Sequence, residues 1–110
     1  MKARPIVPRQ RAVRDIEEAI AWYLREGAGE PALSFIDAVE QAFERISRSP
    51  AAGSPRYARE LNLPGLLSWP LARYPYLVFY VEREDHVDVW RVLAAPRDIP
   101  VSLQEAAPES

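Results

Sequence analysis

The 110-residue chain has no cysteine, one histidine, one lysine and four glycines. Without cysteine, disulfides and thiolate chemistry are excluded, and a single histidine leaves little from which to build a metal site. No apolar run approaches the roughly 20 residues that cross a bilayer, so no membrane partner is expected. The start, Met1-Lys2-Ala3-Arg4-Pro5, carries positive charge without a following apolar stretch. No signal peptide is read there, and the expected setting is the cytoplasm. Also missing is the basic surplus of proteins that live on DNA or RNA, because the net charge is −2. Direct nucleic-acid binding by the chain alone is not expected, and neither is a cofactor.

What is present describes a folded globule. Nearly half of the residues are hydrophobic (48%), and three tryptophans, five tyrosines and three phenylalanines stand among them. A chain this long forms one domain with one two-layer core. That domain is expected over residues 1–98, followed by a proline-broken, partly mobile tail over 99–110. The positive charge is almost all arginine, whose planar fork suits specific carboxylate pairs better than diffuse attraction to phosphate. Lys2, Arg4, Arg9, Arg11 and Arg14 precede the first acid of the chain. That run reads as a solvated helix start rather than a binding patch.

The patterning implies the order β-α-α-β-β-β. Ala3 to Val7 suits a short edge strand, since Pro5 is tolerated only at an edge. From Pro8 the period changes, and Val13, Ile16, Ile20, Tyr23 and Leu24 form a helical stripe that Gly27-Ala28-Gly29 ends. A second helix from Pro31 carries Leu33, Ile36, Val39, Phe43 and Ile46, and Ser49-Pro50 closes it. The short connection makes the two helices an antiparallel hairpin. Residues 50–65 read as a loop with room for a short strand at Arg59 to Leu63. Strands follow at Leu66 to Leu71, Tyr76 to Arg83 and His86 to Ala94. The fold class is α+β, with the helical hairpin packed on a small antiparallel sheet.

The last two strands hold most of the candidate chemistry. A two-residue tip at Glu84-Asp85 would set Arg83 opposite His86, Val81 opposite Asp88, Phe79 opposite Trp90 and Leu77 opposite Val92. Alternation then puts Leu77, Phe79, Val81, Trp90 and Val92 on one face, and Tyr76, Val78, Tyr80, Val89, Arg91 and Leu93 on the other. One face packs on the helices; the second is either partly open or covered by a partner. His86 sits at the tip with nothing to orient it, so it reads as a solvated turn residue. Arg91 lies mid-strand, where a charge is costly unless paired, and Asp15 beside the core-facing Ile16 is a candidate partner. Arg73 and Arg97 stand at strand ends, where structural and binding roles are both open. With Trp69 they compose an aromatic anchor among arginines, as in a protein-binding hot spot. A protein partner would be gripped there; no residue is assigned a catalytic role.

The partner class comes from a resemblance. The segment "RYPYLVFYVEREDHVDVWRVLAAPRDIP" is similar to the C-terminal half of the ParE-like toxins in the RelE/ParE superfamily. It matches at Arg73-Tyr74, Phe79-Tyr80, Arg91-Val92-Leu93 and Arg97-Asp98. "PRQRAVRDIEEAIAWY" resembles the family's first helix, and "RISRSPAAGSPR" the close of its second. The resemblance covers roughly residues 5 to 100. It implies a type II toxin, neutralised by a ParD-like antitoxin and acting on DNA gyrase. Two alternatives are a RelE-like, ribosome-dependent messenger-RNA endonuclease and an inactive member that only binds antitoxin. RelE-like nucleases usually keep a basic residue where this chain has Leu77, and many relatives keep a histidine at Ala94. RNA cleavage needs a base, an acid and cations, so these departures favour the ParE-like reading.

Overall fold

In the computed structural model, which describes residues 3–27 and 29–94, eight elements follow in order. They are β1 (Ile6–Pro8), α1 (Gln10–Arg25), α2 (Gly29–Arg48), a 3-10 turn (Pro50–Ala52), α3 (Arg56–Leu61), β2 (Leu66–Pro70), β3 (Tyr76–Glu82) and β4 (Val87–Ala94). The α+β order is the expected one, with an addition. The stretch with room for a strand at Arg59 to Leu63 instead winds into α3. Tyr57, Ala58 and Leu61 fall on one face of that turn and a half, and Asn62 ends it at φ 54. Arg97 and the tail over 99–110 lie outside the described residues.

The sheet runs β1-β4-β3-β2, with β2, β3 and β4 antiparallel and β1 added parallel to β4. β1 pairs only Ile6 to Pro8 with Val87 to Val89, as its flanking prolines require. At the hairpin tip, Arg83 N–H donates to the His86 carbonyl at 2.8 Å, and Val81 faces Asp88. Beyond that point the expected register slips. Tyr80 pairs with Val89 and Phe79 with Arg91, leaving Trp90 as the extra residue of a β-bulge. Leu77 therefore faces Leu93 rather than Val92. Val92 moves to the face of Val78, Tyr80 and Val89, and Leu93 to that of Phe79.

The helical hairpin covers the Val78–Tyr80–Val89 face. Its packing line is displaced from the large-residue stripe. In α1 the buried residues are Ala12, Asp15 and Ala19; in α2 they are Ala32, Phe35, Ala38, Val39, Ala42 and Ile46. Alanines let the helix axes approach closely, so the bulkier Ile16, Ile20, Tyr23 and Phe43 flank the contact half-buried. Val13, Leu24 and Leu33, expected inside, are exposed. The opposite face of the sheet is not open either. Leu66, Phe79, Val81 and Trp90 form a second core cluster beneath α3, where Tyr57 meets Phe79 edge-on at 5.3 Å between ring centroids. The chain itself supplies the cover.

Candidate interaction surface

The arginines divide into those tied down by carboxylates and those left facing water. Arg91 is tied most firmly. Its Nε and Nη2 donate to the two oxygens of Asp15 at 2.7 and 2.8 Å, and both side chains are 7% exposed. Asp15 also accepts the Val92 backbone N–H at 3.0 Å. β1 has ended opposite Val89, so β4 has lost its neighbour on that side, and a carboxylate from α1 takes the strand's place. Arg91 is a structural group at this position.

A second carboxylate gathers three donors. Asp88 accepts Arg9 at 3.1 Å through both oxygens, Arg83 Nη2 at 2.9 Å and the Trp90 indole N–H at 3.2 Å. Arg9 also lies 4.7 Å over the Trp90 ring. Burial pushes the Asp88 carboxyl up, but the hydrogen bonds from Arg9 and Arg83 outweigh it and hold the group below its usual range. Arg4 bonds Glu82 and the Arg83 carbonyl. Arg4 and Arg9 thus pin the N-terminal segment to the hairpin, whereas Arg11 and Arg14 in the same run are exposed. His86 meets only the Asp85 carboxylate, at 2.7 Å on an exposed tip; that bond lowers the Asp85 pKa.

Tyr80 carries a phenol, a side-chain type that can act as a general acid or base. It is fully buried on the helix side, and its hydroxyl donates to the Pro50 carbonyl at 2.7 Å. Burial pushes its pKa up to about 12. A Cβ at Gly53 would collide with that hydroxyl, so the loop closes against Tyr80 only because the position is glycine.

Trp69 and Arg73 lie at the far edge of the sheet. Trp69 is half-buried on β2 and forms one wall of a groove against α2. One compartment, of about 500 Å³, is lined by Gln41, Glu44, Arg45, Arg48, Ser49, Ala52 and Trp69. The adjoining one, of about 290 Å³, runs along Ala38, Ala42 and Arg45 to Pro70, Leu71 and Ala72. Arg73 follows Ala72 directly, exposed and at φ 70. Arg45 and Gln41 were not foreseen as surface-forming. Their sequence context is an ordinary last half of a helix, and only the approach of β2 gives them a facing wall. Arg97 lies outside the described residues, so its relation to this groove is not part of the geometry. Among the described residues no group of three His, Asp or Glu could hold a metal ion, and no helix is long and apolar enough to cross a membrane.

Against known proteins, the model of the family described as ParE toxin of type II toxin-antitoxin system, parDE, matches residues 6–99. Among solved structures, the chain resembles one described as the chromosomal ParDE TA system from P. aeruginosa, with a TM-score of 0.72. The two are 16% identical, over 86% of this chain and 98% of that one, which is a likeness of fold. No curated protein matches.

Proposed function

The chain belongs to the ParE toxin family of type II toxin–antitoxin systems, and we propose that it is a non-catalytic cytoplasmic toxin that inhibits DNA gyrase and is neutralised by a cognate ParD-like antitoxin. The observation that carries the non-catalytic half is the engagement of its candidate acid–base groups. Tyr80 is buried, bonded to Pro50 and raised to about 12. Arg91 is forked onto Asp15, and His86 is held by Asp85 on an exposed turn. Cleaving RNA calls for a base at the 2′-hydroxyl, an acid at the leaving oxygen and cations at the phosphate, all converging. In the groove beside Trp69 the cations are Arg45 and Arg48, and no tyrosine or histidine lines it. The net charge of −2 also disfavours docking on the ribosome through phosphates.

A toxin of this kind acts by occupying a surface of its target. Expression of the chain with and without the neighbouring gene separates the readings. We expect growth arrest relieved by the neighbour, relaxed plasmid DNA and intact transcripts. Fragmented transcripts with normal supercoiling would favour the nuclease, and unimpeded growth would favour an inactive, antitoxin-binding member.

A further inference from the structure

We propose that the outer face of the helical hairpin, turned away from the sheet, is the surface that grips the target, and that the target lays an apolar segment with basic side chains along it. The inference rests on the gyrase reading above. It adds the surface and the chemistry of the partner segment.

The first observation is where the large side chains go. The line that α1 and α2 press on the sheet is mostly alanine: Ala12 and Ala19 in one, Ala32, Ala38 and Ala42 in the other. In α1, Asp15 reaches toward β4, and Val13, Ile20 and Leu24 fall on the opposite side of the helical repeat. In α2, Gln41 and Arg45 face β2, and Leu33, Ile36 and Phe43 fall on the flank away from it. These two flanks meet in a seam. Ile16, Ile20, Ile36 and Phe43 are half-buried along it, and Val13, Leu24 and Leu33 rim it at 39, 56 and 66% exposed. Both faces of the sheet are covered by the chain itself, yet three of the five exposed large hydrophobic residues among those described gather here. A contiguous apolar strip of this kind marks a contact with another molecule.

The second observation is charge. Glu17 stands between Val13 and Ile20, and Glu40 between Ile36 and Phe43, each in the helical repeat of its apolar neighbours. With Glu30 and Asp37 they are exposed and have no ion-pair partner among the described residues. The unpaired arginines on that side, Arg14 and Arg25, lie toward the two ends of α1. The middle of the seam is therefore apolar and acidic.

That pairing selects the occupant. A second copy of the chain would set Glu17 and Glu40 against the same acids, and an acidic segment would be repelled likewise. A basic one is attracted. A target that handles DNA carries basic side chains on its working surfaces, so an acidic apolar face suits such a protein where DNA itself would be rejected. From Val13 to Leu24 the seam runs about 16 Å, the length of three turns of a helix laid into it.

The test measures inhibition of gyrase supercoiling by the full chain, with thermal melts and calorimetry against the neighbouring gene's product as controls. Leu33→Asp and the double variant Glu17→Arg/Glu40→Arg should each need about tenfold more protein, or beyond, for the same inhibition. Both should melt with the parent and keep its affinity for the neighbour's product. Glu84→Arg, on the exposed tip of the β3–β4 hairpin, should inhibit as the parent does. Parental inhibition by either seam variant would overturn the surface and leave the gyrase reading standing. Equal loss of affinity for the neighbour's product would overturn it too, by giving the seam to the antitoxin. A parent chain that leaves supercoiling untouched would defeat the gyrase reading, and the surface with it.

Discussion

Asp15 serves as the missing neighbour of β4, and this explains why a charged pair can sit inside the fold. Its oxygens take the Arg91 fork and the Val92 N–H together, so the carboxylate meets donors on both lone-pair faces. Removing one member strands the other in a site only 7% exposed. Arg91→Ala should therefore lose about 3–5 kcal/mol in denaturant melts. Arg83→Ala should lose clearly less, because Asp88 keeps Arg9 and Trp90 as donors. Equal losses would place Arg91 outside a structural role. The two carboxylates differ in how they showed in the sequence. A charge between Trp90 and Val92 demands a partner, and Asp15 stands beside Ile16 of the apolar helix stripe. Asp88 draws its donors from three separate segments, and the indole reaches it across the bulge, which no spacing announces. The pH dependence follows from the same groups. Asp88 has its folded pKa below the ordinary value of about 3.9, so its contribution is complete above that value. It is lost as pH falls through the lower folded value. Asp88→Asn should flatten the acid limb of the stability profile. Tyr80 works in the opposite sense: raised from 10.0 to about 12, its contribution is present below pH 10.0 and lost as pH climbs through that window. Tyr80→Phe should remove this alkaline loss.

At the scale of elements, α3 is the piece that turns a sheet with two apolar faces into a closed domain. Tyr57 is 9% exposed and roofs Phe79, Leu66 and Trp90. Tyr57→Ala should cost about 3 kcal/mol through the cavity it leaves. Leu33→Ala, at a position 66% exposed, should stay within about 0.5 kcal/mol. A reversal of that order in chemical denaturation would contradict the packing described. The hairpin of helices, the edge strand and the three C-terminal strands were all legible, because each is written in periodicity and in proline or glycine boundaries. The register was legible only as far as the bulge. A β-bulge is one inserted residue with no required residue type, and it exchanged the faces of Val92 and Leu93. α3 escaped notice because six residues carry too little periodicity to stand out from a proline-punctuated loop. The helix stripes were displaced because alanine, a weak signal in hydropathy, marks the closest approach.

For the molecule as a whole, most paired arginines build the fold. Arg4, Arg9, Arg83 and Arg91 are consumed in stapling β1, the hairpin and α1 together. Beside the half-buried Trp69 the groove is lined by Arg45 and Arg48, in a chain whose charge of −2 gives little general pull toward nucleic acid. The family was legible through the resemblance of short motifs across the chain, whereas the groove required α2 and β2 to be brought together in space. Binding to gyrase, rather than cutting RNA, is the proposed route by which this family member poisons a cell. The direct measurement adds the purified chain to gyrase, ATP and relaxed plasmid and follows supercoiling, with a parallel incubation of translating ribosomes and messenger RNA. The account predicts dose-dependent loss of supercoiling, reversed by the antitoxin, with the RNA left whole. Unaffected supercoiling together with cleaved messenger RNA would contradict it.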